Sequence, residues 1–417
     1  MKIGIVGLGK LGLPVALAIE KKGHDVVGFD INPAIKSYIN DKKIPYKEAH
    51  VPEFIQNTNL KLVELDSLVK HSDIIFVAVQ TPHEKEFEGI NRIPTNREDF
   101  NYLMLINAIS SLNESIVKQS DRKIVSIIST VLPGTVETHI KDKLSEKIDL
   151  IYNPFFIAMG NTINDFYNPE FVLLGTDSGH HVANVLKEFY STIHKSNVFH
   201  TTIKNAEFIK VAYNTFIGMK IAYANTIMEI CHKIGADCDQ VIDGISLASE
   251  RLISSKYLRG GMGDGGGCHP RDNIAMSWLA KKINLSHDFF EDIMIAREDQ
   301  TEWLANLCLE HKLPICLLGK SFKPETNIVT GSPALLLNNL LIEKGIPTIH
   351  IDPYTDEDFQ AEFCKIQVPT VFFIATKHEL FKELKFPKNS IILDPFRYLN
   401  ISQDCVNYIP IGKPCQA

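Results

Sequence analysis

A glycine-rich turn near the start of the chain constrains its fold more than any other feature. The segment Gly7-Leu8-Gly9-Lys10-Leu11-Gly12 directly follows the apolar run Lys2–Val6, which predicts a buried strand. Glycines at this spacing allow a tight strand-to-helix turn, a close approach of pyrophosphate to the backbone, and close packing of helix on strand. The pattern predicts a Rossmann domain whose cofactor contacts include Gly7, Gly9, Leu11 and Gly12, with the phosphates at the helix N-terminus.

A carboxylate at the end of the next apolar run indicates which dinucleotide binds. Asp30 follows Val26-Val27-Gly28-Phe29. A carboxylate at this place accepts hydrogen bonds from the adenosine ribose and repels a 2′-phosphate, which favours NAD over NADP. The alternative is a glycine turn beside an unrelated exposed aspartate, but the strand before the glycines and the helical pattern after them favour the cofactor site.

The apolar runs alternate with helical stretches in two parts of the chain. The first 200 residues predict a parallel sheet because their apolar runs suit strands buried on both faces. Residues Asn205–Lys233 lack proline and predict one long helix of the kind that joins domains or forms a dimer seam. From Pro314 a second alternation begins, with a helix over Pro333–Lys344 that Gly345 ends. The predicted strands are Lys2–Val6, Asp25–Asp30, Asp73–Val79, Lys123–Ile128, Phe171–Gly175, Ile315–Gly319, Thr348–Asp352, Thr370–Ala375 and Ile391–Asp394.

This organisation predicts an α/β protein in which two Rossmann-like α/β domains are joined by a central helical domain with a long helix. A length of 417 residues suits two or three domains. We expect an N-terminal NAD-binding domain over residues 1–200, a helical catalytic and dimerisation domain over 201–305, and a C-terminal α/β domain over 306–417.

Composition argues against several other classes of protein. The net charge is −7 without a long basic run, so we expect no nucleic-acid partner. No apolar stretch reaches about 18 residues, so we expect no membrane span, and the first strand runs into the glycine turn rather than into a signal-peptide cleavage site. None of the eight cysteines forms a CxxC pair, which argues against a metal site and favours a reducing cytoplasm.

A single cysteine at the end of a second glycine-rich loop suggests the chemistry. Cys268 follows Gly265-Gly266-Gly267, and Asp272 comes four residues later. Such a loop lets a ligand approach closely, which suits a thiolate that attacks an aldehyde, with Asp272 orienting a water or an ammonium group. The alternative is a buried cysteine beside a turn, and we expect the adjacent His269 to be a surface or packing residue. Together with the dinucleotide site, the loop suggests oxidation through a covalent sulfur intermediate.

A lysine and an asparagine on the long helix are further candidates. Lys210 and Asn214 are four residues apart and therefore share one helix face. A lysine can stabilise a developing alkoxide, or act as a base when desolvation lowers its pKa. Spacing alone leaves a solvated helix face as the alternative.

These segments together resemble the UDP-glucose/GDP-mannose dehydrogenase superfamily over nearly the whole chain. The segment Gly265–Asp272 matches its Gly-Gly-x-Cys-x-x-x-Asp signature, and Glu207–Asn214 resembles the helix with its catalytic lysine and asparagine. Other matching segments are Val79-Gln80-Thr81-Pro82, Ser129-Thr130-Val131-Leu132-Pro133-Gly134-Thr135, Tyr223-Ala224-Asn225, Phe322-Lys323-Pro324 and Ser332-Pro333-Ala334.

The resemblance implies a four-electron oxidation of a nucleotide sugar at C6 to the carboxylate with two NAD molecules. Cys268 would carry a thiohemiacetal and then a thioester, and the C-terminal domain would bind the nucleotide sugar. The implied catalytic residues are Cys268, Lys210, Asp272, Asn214 and Thr130. The implied cofactor residues are Gly7, Gly9, Leu11, Gly12, Asp30, Thr81, Pro82 and Thr130. The implied substrate residues are Phe156, Lys210, Asn214, Asn225, Arg251, Tyr257, Gly265 and Lys323, with Arg259 as a rival to Arg251. A homodimer through the long helix is also implied.

Three departures from the family pattern leave the outcome of the reaction open. Phe155 stands where a glutamate implicated in water activation is expected, Asp264 where an aromatic residue is expected, and Thr330 where an arginine is expected. Because Phe155 cannot take a proton, one alternative is a two-electron oxidation that stops at the aldehyde. Further alternatives are a 3-hydroxyacid dehydrogenase and a non-catalytic NAD-sensing protein, and the cysteine loop argues against both.

Overall fold

The computed structural model describes residues 1–177, 179–249, 257, 259–282, 284 and 288–413. Contacts within the chain divide it into two units. Unit 1 comprises Met1–Pro82 and Phe100–Ala212, and unit 2 comprises His83–Asp99 and Tyr213–Ala417. The division into three domains at residues 200 and 305 stays a prediction.

Unit 1 is built on a sheet that confirms the predicted α/β class. Its described strands are β1 Lys2–Val6, β2 Asp25–Phe29, β3 Lys61–Leu62, β4 Ile74–Val77, β5 Lys123–Ile127, β6 Ile148–Tyr152, β7 Phe171–Gly175 and β8 Asn197–Thr201. They lie in the order β3-β2-β1-β4-β5-β6-β7-β8. Neighbours are parallel except β6 and β7, which pair antiparallel through Tyr152 and Gly175. The predicted parallel arrangement thus holds for all the other neighbouring strands, and the β6–β7 pair departs from it because apolar runs indicate burial but not strand direction.

The helices of unit 1 bury the apolar faces of this sheet. They are α1 Gly12–Lys21, α2 Ala34–Asn40, α3 Val51–Gln56, α4 Leu65–His71, α5 Leu103–Val117, α6 Thr135–His139, α7 Thr162–Tyr167 and α8 His180–Ser191. The helix α1 is buried from Gly12 to Ile19, and only its last two residues are more exposed. Its Leu13 and Leu17 belong to one core cluster with Ile3 and Phe76 of the strands. This packing holds the glycine turn rigidly at the edge of the sheet.

The long helix predicted over Asn205–Lys233 is present as α9, Ile203–Ile234, which leads from unit 1 into unit 2. The described strands of unit 2 are β9 Ile315–Leu318, β10 Thr348–Ile351, β11 Val371–Ile374, β12 Ile391–Asp394 and β13 Asn407–Pro410. They form a parallel sheet in the order β10-β9-β11-β12-β13. Its described helices are α10 Cys238–Ser246, α11 His269–Lys282, α12 Phe289–Leu309, α13 Pro333–Glu343 and α14 Phe359–Cys364.

The sequence missed four strands, and each has a local reason. The strand β3 has two residues, and Asp149 interrupts the apolar run of β6. The edge strands β8 and β13 are only half-buried, so they lack a continuous apolar run.

Every helix in the described ranges is too short or too polar to cross a lipid bilayer.

Candidate active site

The glycine turn has the geometry that a pyrophosphate requires. Gly7 has a φ of 92°, which favours glycine, and its N–H donates to the carbonyl of Phe29 over 2.9 Å. A Cβ at Gly12 would lie 1.9 Å from the Gly7 oxygen, so only glycine permits this contact. A Cβ at Gly9 would meet none of the described atoms within 4 Å, so the backbone there faces open space. These three positions therefore fit the predicted cofactor site, and Leu11 packs beside them against the core.

Asp30 joins the end of β2 to this turn. One carboxylate oxygen accepts from Leu8 N over 2.6 Å, and the other accepts from Asn32 N over 2.7 Å. Each carboxylate oxygen can accept more than one hydrogen bond, so acceptor sites are left for a ribose hydroxyl. The observed position of Asp30 thus fits NAD.

Two further loops of the predicted cofactor site lie at the same edge of the sheet. The Thr81 hydroxyl, after β4, donates to the carbonyl of Thr130, after β5, over 2.7 Å. The Ser129 hydroxyl donates to the carbonyl of Val79 over 2.6 Å. Because β1, β4 and β5 are parallel neighbours, the loops with Thr81, Pro82 and Thr130 follow the same end of the sheet as the glycine turn.

Lys210 is buried rather than solvated. It is 6% exposed on α9, and its Nζ lies 4.9 Å from the ring centroid of Phe156. That ring packs on Phe171 with centroids 4.7 Å apart. A solvated helix face is therefore excluded for Lys210. Phe156 lies beside it, and the roles of both residues in substrate binding stay predictions. Phe155 has a different environment, because its ring packs in the core against Phe166 at 5.5 Å.

Glu207 is a residue of unit 1 to which sequence reasoning gave no role. Its fully buried carboxylate accepts hydrogen bonds from Gly134 N at 2.6 Å and Val136 N at 2.9 Å. Burial raises the pKa of Glu207 to about 7, against the opposing effect of these two hydrogen bonds. It thereby anchors the end of the Ser129–Thr135 segment to α9. Its only sequence signal is its place three residues before Lys210.

In unit 2, Asn214 and Asp272 contact each other directly. The Asn214 Nδ2 donates to Asp272 Oδ2 over 2.5 Å, and both side chains are buried. Arg271 donates to Asp272 Oδ1 from Nε and Nη2 at 3.0 and 2.8 Å. The groups that Asp272 orients within this unit are thus an amide and a guanidinium.

Cys268 stands immediately before α11 and is half-exposed. The free N–H groups at a helix N-terminus favour negative charge on a neighbouring group. Asp272 lies in the first turn of the same helix, and its N–H donates to the Cys268 carbonyl over 2.8 Å. The helical pattern that resumes after the glycine-rich loop in the sequence is thus present as α11, and its start holds the thiol and the carboxylate at a defined spacing.

His83 is a second residue that sequence reasoning missed. Its segment packs on α11, where Phe87 joins a small apolar cluster with Ile274. Both ring nitrogens of His83 are buried and have no hydrogen-bond partner among the described residues. Burial, and secondarily the charge of Arg271, lowers the pKa of His83 to about 4, while Asp272 raises it. The imidazole of His83 is therefore neutral at neutral pH and lies close enough to Arg271 and Asp272 to be influenced by their charges.

The cysteine loop is held by side chains at its start. Asn225, 2% exposed, accepts from Gly261 N at 2.8 Å and donates to the carbonyl of Met262 at 3.1 Å. Arg397 donates to the carbonyl of Gly260 at 2.7 Å. The observed contacts of Asn225 are thus with the loop, and its contact with substrate stays a prediction.

The remaining predicted substrate residues are spread over unit 2. A Cβ at Gly265 would lie 2.9 Å from Pro333 and 3.0 Å from Phe322, so this glycine allows the close approach of the two segments. The Lys323 Nζ lies 5.9 Å from the centroid of the Phe322 ring. The Tyr257 ring meets His269 edge-on at 6.4 Å. Their roles in substrate binding stay predictions.

Of the two arginine candidates, only Arg259 can be placed, because Arg251 lies outside the described residues. Arg259 is 62% exposed in its side chain and forms an ion pair with Asp243 at 2.7 Å. Arg259 is thus engaged with α10, but an exposed ion pair of this kind is weak and leaves the arginine able to exchange partners.

Comparison with protein-family models identifies two successive matches. Residues 1–194 match the NAD binding domain of the UDP-glucose/GDP-mannose dehydrogenase family, and residues 204–297 match the central domain of the same family.

Individual proteins extend this similarity over most of the chain. UDP-glucose 6-dehydrogenase TuaD of Bacillus subtilis is 30% identical over 367 residues, which cover 84% of this chain and 76% of that protein. GDP-mannose 6-dehydrogenase of Pseudomonas aeruginosa is 28% identical over 364 residues, covering 83% and 79%. A solved UDP-glucose dehydrogenase from Pyrobaculum islandicum shares the fold with a TM-score of 0.85 at 22% identity, covering 99% and 98%.

Proposed function

Since this chain belongs to the UDP-glucose/GDP-mannose dehydrogenase family, whose members are NAD-dependent nucleotide-sugar dehydrogenases, we propose that it oxidises the C6 hydroxymethyl group of a UDP-glucose-like sugar to the carboxylate. The observation that carries the proposal is the arrangement around α11. Cys268 precedes this helix, whose buried Asp272 is bonded to Asn214, and Lys210 lies four residues before Asn214 in the same helix α9.

The residues that fit NAD belong to unit 1. Gly7, Gly9 and Gly12 would hold the pyrophosphate and Asp30 the adenosine ribose, with Thr81, Pro82 and Thr130 at the same edge of the sheet. When bound, NAD supplies the hydride acceptor for each of the two oxidations.

Lys210 and Asn214 act on the oxygen at C6, and Cys268 attacks the carbon. In the first oxidation neutral Lys210 takes the hydroxyl proton, and the ammonium group that it becomes stabilises the alkoxide. The Cys268 thiolate then adds to the aldehyde carbon, and the carbonyl oxygen becomes an oxyanion that the Lys210 ammonium and the Asn214 amide stabilise. Loss of a second hydride from this carbon leaves a thioester. Water then adds to the thioester, the C–S bond breaks, and the carboxylate and the free thiolate are released.

The final hydrolysis requires a group that accepts a proton from water. Phe155 cannot do so, and its partly buried ring packs against the core of unit 1. His83 is neutral at neutral pH, is influenced by the charge of Asp272, and belongs to the segment that packs against α11. We therefore propose that His83 accepts the proton that the hydrolytic water gives up. The alternative that the position of Phe155 favours is a two-electron oxidation that ends at the aldehyde.

The stoichiometry of NADH distinguishes the two outcomes. Limiting UDP-glucose, GDP-mannose and a CDP-linked sugar are each incubated with excess NAD, and the product is identified by mass. Two NADH per sugar and a carboxylate support the proposal, whereas one NADH and an aldehyde establish the two-electron alternative. Turnover with none of these sugars would contradict the assigned substrate class.

Replacement of the nucleophile tests the covalent step. We expect Cys268→Ala to form no carboxylate, because no thioester can form, while Cys364→Ala, an exposed cysteine of the same unit, keeps the wild-type rate. Normal carboxylate production by Cys268→Ala would refute the sulfur intermediate.

A further inference from the structure

A buried ion pair lies on the cysteine loop, four residues before Cys268. Asp264 Oδ1 and Arg297 Nε are 2.8 Å apart, and the two residues are 5% and 3% exposed. Arg297 belongs to α12, so the pair joins the loop to a helix. A charge this deeply buried requires its partner, because an unpaired carboxylate or guanidinium in the interior is strongly disfavoured. The aromatic residue expected at position 264 has thus been replaced by one half of a charged pair.

Arg297 connects three segments that are distant in sequence. Its guanidinium donates to the carbonyls of Asp264 at 3.2 Å, Gly89 at 2.9 Å and Gly331 at 3.4 Å. The rigid planar fork of arginine suits simultaneous donation in several directions. The segment around Thr330 lacks its expected arginine, and here a guanidinium reaches the next residue from α12.

The loop packs too closely around this guanidinium to move without breaking contacts. A Cβ at Gly263 would lie 3.1 Å from Arg297 Cγ. Gly331 has a φ of 63°, and a Cβ there would lie 2.4 Å from the Gly266 oxygen. A shift of the guanidinium therefore moves both Gly263 and the Gly331–Gly266 contact, which adjoins Cys268.

The pair is poorly arranged for stability alone. Asp264 Oδ2 is buried and has no hydrogen-bond partner in the part of the chain that the structure describes. A buried pair with unsatisfied atoms is generally no more stabilising than apolar residues of similar volume. What apolar residues would not reproduce is the directional attachment of the loop to α12, Gly89 and Gly331.

We propose that the Asp264–Arg297 pair is a positioning device that sets the loop Gly263–Gly267 and thereby presents the Cys268 sulfur to the substrate. The catalytic role of Cys268 rests on the proposed function, whereas the placement of its sulfur is measurable without any substrate.

Three variants separate positioning from stability. Asp264→Asn and Arg297→Lys each alter the pair, and the double variant Asp264→Leu/Arg297→Met replaces it with apolar side chains. The control is Glu302→Gln, which removes the ion pairs that the same helix forms near the surface with Arg92 and Lys344. We expect both single variants to melt at a lower temperature and the double variant to regain most of the loss. All three should lose roughly 100-fold in kcat, with NAD binding unchanged, because small misplacements of a reacting group have effects of this size.

Alkylation by iodoacetamide, followed by mass spectrometry, measures the accessibility and reactivity of the Cys268 sulfur directly. Cys364 and Cys405 are exposed and serve as internal references. The rate at Cys268 relative to these references should fall about tenfold or more in the double variant, because the sulfur leaves its place at the start of α11. Wild-type kcat in the double variant, or an unchanged alkylation ratio, would overturn the proposal. A wild-type enzyme without sugar turnover but with the expected alkylation ratios would contradict the proposed function alone.

Discussion

At the scale of single residues, Asp30 links the cofactor turn to the strand beside it. Its carboxylate accepts from Leu8 N and Asn32 N, so its removal affects the shape of the turn as well as the proposed contact with the ribose of NAD. We expect Asp30→Ala to raise the KM for NAD about tenfold or more. The variant should also show a smaller preference for NAD over NADP, because the repulsion of a 2′-phosphate is lost. Initial rates with both cofactors measure this. Asp25→Ala, at the exposed start of the same strand, should change neither value.

His83 has a distinct expected effect because the proposed mechanism assigns it only to the last chemical step. His83→Gln should keep the first NADH burst at the wild-type rate and slow carboxylate release by roughly 100-fold or more, the usual size of a lost general base. Rapid-mixing absorbance at 340 nm with quenched product analysis separates the two steps. His181→Gln, an exposed histidine of unit 1, is the control. An equal slowing of both phases in His83→Gln would contradict the assignment.

His83 also predicts a pH dependence of stability. The unfolded chain takes up a proton at this residue near pH 6.5, whereas the folded chain does so only near pH 4. The free energy of unfolding should therefore fall as the pH drops from about 6.5 to about 4. His83→Gln should show a shallower decline across this window in denaturant titrations, and an unchanged slope would count against the burial of the ring.

At the scale of elements, we expect Glu207 to make the contact between α9 and the start of α6 sensitive to pH. Its pKa is raised from 4.5 to about 7, so between these values the folded chain keeps a proton that the unfolded chain has lost. The contribution of Glu207 to the free energy of unfolding should fall as pH rises through this window, by on the order of 1 kcal/mol per pH unit. Thermal unfolding between pH 5 and pH 8 should therefore be less pH-dependent in Glu207→Gln.

Glu137, in the first turn of α6, is the matched control for this prediction. It is fully exposed, and the hydrogen bond and charge of Lys204 lower its pKa. Glu137→Gln should therefore leave the slope above pH 5 unchanged. A wild-type slope in Glu207→Gln would show that another group carries the dependence.

At the scale of the whole molecule, the exposed aromatic side chains of α9 need an explanation. Phe216 and Tyr223 are 39% and 52% exposed and are seven residues apart, hence on one face of the helix. Exposed apolar faces of this kind mark interaction sites, and the predicted homodimer through α9 would cover this one. We expect the wild type to sediment as a dimer and Phe216→Glu/Tyr223→Glu as a monomer at micromolar concentration. Val368→Glu, equally exposed on unit 2, should stay dimeric.

The sequence alone predicted those parts of the structure that depend on a short stretch of neighbouring residues. The glycine spacing at Gly7, Gly9 and Gly12 predicted the cofactor turn because backbone conformation and close approach depend on the residue itself. The length of α9 followed from the apolar pattern and the absence of proline. The cysteine loop was evident because three glycines and a cysteine carry information without reference to distant residues.

Only the tertiary structure decided which of these residues work together. Arg297 meets Asp264 across 33 positions, and Glu207 meets Gly134 across 73. Nothing in the local pattern of either partner specifies such a contact, because it depends on how helices pack on the sheets. The direction of β7 and the pKa shifts of His83 and Glu207 have the same origin, since pairing and burial are properties of the folded chain. The sequence by itself therefore determined the cofactor turn, the long helix and the cysteine loop, and folding decided how these parts are held.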